Sequence, residues 1–368
     1  MNSNKSPQSS STTSAKQPPR CPAYPNCGCD GTGRIAGGLG SVVSWLPKAY
    51  RPCPEFVNAG GVYARSFSTE IGFDSMKARR AFAFPDNEAV GTIEIQQDPK
   101  GYVAVGDGTG MVTWGSAFCL SDLLQRAAVS PPSSSPGLLG IPRDLSGARV
   151  VEVGAGLGLC SLVCCKLGAA EVVATDGSES VLELLKRNAA ENLAPQQREG
   201  GRLTIRRLRW GDAEGITALR SEQSSSSGRE AAAVAAGGAF DVVVMADVAY
   251  QRNAGAWPAL VSTVVQLTDP APSAATATTT PAATTTAAAA DTARRPPPVV
   301  LWAHAARDDE SRLESERFSR DLIAPLREHF AIAQVDAASL HPAYRTSNVR
   351  VFVLTRRAAA TMAAAAAA

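Results

Sequence analysis

The ten residues Val150–Leu159, VVEVGAGLGL, constrain this chain more than any other stretch. Three valines about an acid, running into three glycines, read as a buried strand, a tight turn and the start of a helix. In an open parallel sheet such a turn brings backbone close to a nucleotide-like ligand, because glycine has no side chain in the way. The next apolar run, EVVATD, closes on Asp176. An acid about twenty residues beyond such a turn is placed to accept hydrogen bonds from ribose hydroxyls. Together they predict an adenosine-containing cofactor.

The rest of the chain builds an α/β fold around that unit. Residues 1–20, rich in Ser, Thr and Pro, read as a disordered tail. Residues 21–89 read as an irregular Cys/Gly/Pro-rich extension, and regular periodicity starts at Val90. Residues 90–357 alternate strands and helices, interrupted by low-complexity inserts near 130–140, 221–238 and 269–298. Residues 358–368 form an Ala-rich tail. Strands are expected at Arg149–Val153, Glu171–Thr175, Leu203–Leu208, Phe240–Met245 and Val299–Ala303. Helices are expected at Leu157–Leu167, Ser178–Asn192, Ala256–Leu267 and Glu310–Phe330. Phe240–Met245 is apolar throughout, as in a strand covered on both faces. The last two strands, Ile332–Val335 and Val349–Leu354, have no helix between them, so they pair antiparallel. The expected fold is therefore a Rossmann-like, doubly wound, seven-stranded, mostly parallel sheet that ends in an antiparallel hairpin.

A parallel sheet with one reversed strand at its end resembles the class I S-adenosylmethionine methyltransferases. Gly154, Gly156 and Gly158 agree, being spaced G-x-G-x-G with Glu152 ahead of them. Four segments resemble one family, the family 16 methyltransferases, a group containing many seven-strand protein-lysine methyltransferases. TWGSAFCLSDLL, from Thr113, is similar to the Trp-containing helix before the core. VEVGAGLGL, from Val151, is similar to motif I. RRLRWGD, from Arg206, is similar to the Leu-x-Trp-Gly segment after the third strand. FDVVVMADVAY, from Phe240, is similar to the fourth strand with its Asp-x-x-Tyr ending.

The resemblance implies S-adenosylmethionine (SAM) as cofactor and a lysine of another protein as acceptor. It implies that Trp114 lines the cofactor pocket and that Gly154, Ala155 and Gly156 approach the methionine part and ribose. Asp176 would take the ribose hydroxyls, Trp210 would pack near the adenine, and Ala246 would lie beside the cofactor. Asp247 and Tyr250 would face the methyl group and the substrate. The residues also allow plainer roles. Trp114 and Trp210 can be core anchors, and Asp176 and Asp247 can be caps. Tyr250 can be simply packed, and His304 structural. A methyltransferase for a small molecule or another side chain remains open, as does a non-catalytic scaffold.

Composition bounds the partners. Lys+Arg 36 against Asp+Glu 34 gives no bulk attraction to nucleic acid. No apolar run reaches the ~18 residues of a membrane span. The eight cysteines in a chain of this length are not a disulfide framework and read as reduced, packed thiols. Cys21, Cys27, Cys29 and Cys53 have the chemistry to bind zinc. CGCDGTG, from Cys27, partly resembles the cysteine-rich repeat of J-domain cochaperones, but its first two cysteines are one residue apart and no second full repeat follows. No resident metal is expected in the catalytic site. The expectation is a cytoplasmic monomer, although the acid-poor N-terminus also fits an organelle transit segment.

Overall fold

A computed structural model of the chain describes residues 77–104, 108–131, 140–198, 202–221, 238–269, 297–305, 316–345 and 348–357. All lie in the unit Arg65–Ala368. Cys21, Cys27, Cys29 and Cys53, the terminal tails and most of each low-complexity insert lie outside the described residues.

The described chain opens with a hairpin. Strand β1 (Arg79–Phe84) pairs antiparallel with β2 (Gly91–Gln96). This corrects the sequence reading, in which regular structure began at Val90. The period-two signal is present in Arg80, Phe82 and Phe84, which are buried while Arg79, Ala81 and Ala83 are exposed. It is hidden because an arginine takes the first inward position. The Arg80 guanidinium donates to the Thr113 carbonyl at 2.8 Å and lies 4.6 Å from the Phe82 ring centroid. A buried arginine needs such partners.

Helices α1 (Pro99–Ala104) and α2 (Gly115–Val129) lead into the main sheet. Its strands are β3 (Arg149–Val153), β4 (Glu171–Asp176), β5 (Leu203–Arg207), β6 (Val242–Ala246), β7 (Val299–Ala305), β8 (Phe330–Gln334) and β9 (Val349–Arg356). The order across the sheet is β5-β4-β3-β6-β7-β9-β8. Neighbours from β5 to β7 pair in parallel, whereas β9 runs antiparallel to both β7 and β8. This is the expected mostly parallel sheet with an antiparallel end.

The strands are apolar on both faces because helices cover both. Val150, Val172, Val242 and Leu301 pack under α2, α3 (Leu159–Lys166) and α4 (Glu179–Asn192). Their neighbours Val151, Val173, Val243 and Val300 pack on the opposite layer. That layer holds α5 (Ala213–Ser221), α6 (Trp257–Leu267) and α7 (Ala324–His329). The single helix expected over Glu310–Phe330 is interrupted by a π-helical turn, Ser319–Ile323, just before α7. Residues 306–315 lie outside the described part.

Two asparagines of α4 stand where a neighbouring strand would pair with β2. Asn188 accepts from the Gln96 amide at 2.8 Å and donates to the Gln96 carbonyl at 3.2 Å. One helical turn on, Asn192 does the same to Glu94, at 2.9 and 2.7 Å. Residues i and i+4 share a helix face, as i and i+2 share a strand edge, so the two repeats meet. The open edge of β2 is closed in this way.

Cys119, Cys160, Cys164 and Cys165 are free and buried. Burial pushes the Cys119 and Cys165 thiols up to about 12, and raises Cys160 and Cys164 as well. They are packing residues, as the sequence suggested. Among the described residues no cluster of His, Cys, Asp or Glu could hold a metal ion. No described helix is long and apolar enough to cross a membrane.

Candidate active site

The carboxyl ends of β3, β4 and β6 meet at one edge of the sheet, where open α/β sheets bind ligands. The turn after β3 is built for close approach. Gly154 has φ 68° and Gly156 φ 52°, a region that side chains disfavour. A Cβ on Gly154 would lie 2.8 Å from Val248 Cγ1 and 3.9 Å from Trp210 Cζ2. Between them Ala155, only 8% exposed, donates its amide to the Thr175 carbonyl at 2.7 Å. The turn is thereby tied to the end of β4.

Asp176 ends β4 and makes the second tie. Its Oδ2 accepts from the Gly156 amide at 3.0 Å, and its Oδ1 accepts from the Ser178 amide at 3.0 Å. The carboxylate therefore organises the glycine turn and the entry to α4 together. Two carboxylate oxygens offer about four lone-pair sites, so a carboxylate can accept several hydrogen bonds at once. Asp176 is half-buried. Leu208 donates to the Asp176 carbonyl at 3.0 Å, which draws the segment carrying Trp210 up to the same edge.

A strap of chain before α2 crosses this turn. Gly108–Met111 forms a single 3-10 turn. A Cβ on Gly156 would sit 3.4 Å from the Gly110 carbonyl oxygen, and one on Gly110 would sit 3.6 Å from Asp176 Oδ2. The two glycines thus pack directly against each other, beside Val181. The indole of Trp114 donates to the Thr109 carbonyl at 3.0 Å and holds the strap in place. Trp114 precedes the first turn of α2 in an extended conformation.

The far wall follows β6. Ala246 ends the strand half-buried, opposite Ala303 of β7. Asp247 has φ 55° and is the one described non-glycine residue with positive φ. Its amide donates to the Ala303 carbonyl at 2.8 Å, and its Oδ1 accepts from the Ala305 amide at 3.3 Å. Only 7% exposed, Asp247 fastens the ends of β6 and β7 together. A strained conformation at such a junction is common in functional sites. Tyr250 lies at the rim. Its amide donates to Asn253 Oδ1 at 3.0 Å, and its carbonyl accepts from the Asn253 amide at 3.0 Å. Its phenol shares a 3.2 Å hydrogen bond with the Thr109 hydroxyl. The strap and the post-β6 segment are joined across the crevice by that pair.

Beneath the turn, Glu152 is 2% exposed. Its Oε2 accepts from both the amide and the hydroxyl of Ser161 on α3. Burial pushes its carboxyl up to about 7, against the opposing pull of Ser161. It supports the turn from below and does not line the crevice.

The structure thus gathers Trp114, Gly154, Ala155, Gly156, Asp176, Trp210 and Tyr250 into one neighbourhood. Asp247 lies in it too, with one carboxylate oxygen turned to the β7 backbone. His304 is elsewhere: it is 3% exposed and stacked on Phe318 at a centroid distance of 4.7 Å. Sequence reasoning missed Thr109, Gly110 and Asn253. The first two carried a faint signal, as Gly108-Thr109-Gly110 sits just ahead of the Trp114 segment. Asn253 had none beyond being three residues past Tyr250.

Strand order, reversed β9 and glycine turn define a class I, seven-strand methyltransferase-type domain. Residues 94–224 match the lysine methyltransferase family model. Asp247 and Tyr250 lie beyond the matched stretch. The chain is 30% identical over 173 residues to protein-lysine N-methyltransferase EFM3 of Chaetomium thermophilum, covering 47% of this chain and 42% of that protein. It is also 30% identical over 187 residues to protein N-lysine methyltransferase METTL21A of Mus musculus, covering 50% of this chain and 65% of that protein. The chain therefore spans less than two thirds of either relative. Among solved structures, the SAM-bound magnesium protoporphyrin IX methyltransferase of Synechocystis PCC 6803 is 17% identical, with a TM-score of 0.32. That match covers 58% of this chain and 72% of the other. The strand order of the chain itself, not that slight likeness, carries the assignment of fold.

Proposed function

We propose that this chain transfers a methyl group from SAM to a lysine side chain of a protein substrate. The observation that carries the reading is the Gly156–Asp176 hydrogen bond of 3.0 Å. It joins a side-chain-free turn to a carboxylate at the adjacent ends of β3 and β4, the arrangement that receives a nucleoside. Bound SAM supplies an electrophilic methyl on a sulfonium sulfur.

The residues divide the work. Asp176 accepts the ribose hydroxyls. Gly154, Ala155 and Gly156 lie against the ribose and the amino-acid portion, where any larger side chain would intrude. Trp210 covers the adenine side, and Trp114 closes the opposite side through its hold on the strap. Ala246 leaves room beside the cofactor at the end of β6. Asp247 and Tyr250 form the substrate side. The Tyr250 ring gives an incoming ammonium an aromatic face. Asp247, through its strained backbone, sets the direction in which Tyr250 leaves the sheet. Displacement at the methyl needs a neutral amine in line with the carbon–sulfur bond, so alignment between these walls supplies much of the rate. We assign the catalytic unit to the chain from β1 to β9.

The test is incubation with methyl-labelled SAM and cell extract, followed by mass spectrometry of the labelled band. Label on a lysine of a discrete protein supports the reading. Label confined to small molecules, or to another side chain, overturns its lysine part. Asp176→Ala should weaken binding of S-adenosylhomocysteine (SAH) by about 2–3 kcal/mol in calorimetry, because hydroxyl donors lose a charged acceptor and the glycine turn loses its tie.

A further inference from the structure

Four contacts hold the turn Gly108–Met111, and together they reach both walls of the crevice. The Trp114 indole donates to the Thr109 carbonyl at 3.0 Å. The Asp98 amide donates to the Met111 carbonyl at 3.0 Å, which anchors the turn to the segment after β2. Gly110 packs against Gly156, its carbonyl oxygen 3.4 Å from a Cβ built there, and a Cβ on Gly110 would lie 3.0 Å from Val181 Cγ2 and 3.6 Å from Asp176 Oδ2. The Thr109 hydroxyl meets the Tyr250 phenol at 3.2 Å. The strap is therefore in contact with the cofactor turn through one residue and with the substrate-side tyrosine through the residue before it.

The backbone of Tyr250 is held separately. Asn253 accepts from its amide, and Trp257 donates its indole to the same Asn253 oxygen at 3.1 Å. Its phenol is bonded from the strap by the Thr109 hydroxyl, and its side chain is also engaged by the Asn253 backbone. Tyr250 is half-buried, and the hydroxyl of Thr109 contributes to the orientation of its ring.

We infer that Thr109 is a positioning residue for Tyr250: it passes displacement of the strap by a ligand at Gly156 and Asp176 to the phenol on the substrate side. This rests on the reading of the crevice as a cofactor site. A ligand pressing on the Gly156–Asp176 wall acts on Gly110, whose carbonyl packs directly on Gly156 and whose Cα borders Val181 and Asp176. Thr109 is bonded directly to Gly110 and cannot stay unaffected. Cofactor binding thus adjusts the orientation of the tyrosine that a substrate lysine meets.

The experiment uses the full chain with its tyrosines labelled by carbon-13 at Cζ, and SAH as the probe. The Tyr250→Phe variant identifies the Tyr250 signal. In the wild-type protein SAH should shift that signal. In Thr109→Val the shift should fall to a small fraction, and in Thr109→Ser it should return, with SAH affinity in both within about threefold of wild type. Valine keeps the branched shape and the backbone carbonyl that Trp114 uses, so the strap itself stays in place. An equal shift in Thr109→Val overturns the inference, as does SAH binding with an unmoved Tyr250 signal. Absence of any heat with SAH removes the cofactor reading and this inference with it, whereas heat with an unmoved signal removes the inference alone.

Discussion

Glu152 shows how a single buried acid can trade stability for architecture. It sits near the start of motif I, and its carboxylate is the acceptor for two Ser161 donors at the start of α3. Burial outweighs those donors and holds its carboxyl at about 7, against an ordinary 4.5. Between those values the folded chain keeps a proton that the unfolded chain has released. Folding stability therefore falls as pH rises from about 4.5 to about 7, and the full penalty is present above that window. A shift of this size corresponds to an order of 3 kcal/mol. Glu152→Gln keeps one acceptor for Ser161 and has no charge to desolvate. Its thermal midpoint, measured from pH 5 to pH 8 against wild type, should gain on wild type steadily up to about pH 7 and then run parallel. Curves parallel throughout would show that the acid titrates normally in the fold.

At the scale of the element, α4 is the part that joins the N-terminal hairpin to the site. Asn188 is fully buried and bonds both the Gln96 backbone and the Leu157 carbonyl, the latter at 3.2 Å inside the glycine turn. Asn188→Ala leaves those backbone groups without a partner in a dry setting. We expect a loss of about 2–4 kcal/mol in chemical denaturation, with weaker SAH binding because the turn loses a strut. Asn192→Ala, at a wetter position, should lose about 1 kcal/mol and leave SAH binding alone. The difference between the two, read by calorimetry, reports the coupling of α4 to the turn. The same residues explain what the sequence made legible. The β3–turn–β4 unit was readable because consecutive apolar residues, glycines and a spaced acid all encode it locally. The reversed end was readable because no helix could fit between β8 and β9. Asn188, Asn253 and Thr109 were not readable. Each acts by a hydrogen bond to a residue distant in sequence or to bare backbone, and neither leaves a periodic trace. Strand β1 fell between these cases, with a true alternation disguised by Arg80.

For the whole molecule, the two ends of the sheet have separate duties. The carboxyl end carries the crevice, with its positive-φ glycines and the strained Asp247. The amino end carries a staple. There Arg149 donates to Glu171 at 2.6 Å, to the Gly238 carbonyl at 2.9 Å and to the Leu219 carbonyl at 3.3 Å, and its guanidinium covers the Phe240 ring at 4.6 Å. One side chain so ties β3 to β4, to the approach to β6 and to the end of α5. Both partners of the ion pair are largely buried, with side-chain exposures of 17% and 10%. Removing one of them strands the other's charge, which is worse than never having had the pair. Arg149→Ala should therefore lose about 3 kcal/mol in denaturant unfolding. The strands between staple and crevice are close-packed on both faces, so the loss should appear as a lower unfolding midpoint and not as a loosened site. SAH affinity, measured well below that midpoint, should stay within about threefold of wild type. The opposite substitution, Gly156→Ala, puts a Cβ at φ 52° and 3.4 Å from the Gly110 carbonyl oxygen, and there affinity should fall by far more than stability. If Arg149→Ala weakened SAH binding as strongly as Gly156→Ala does, the sheet would be transmitting strain from end to end, and the division of duties would be wrong.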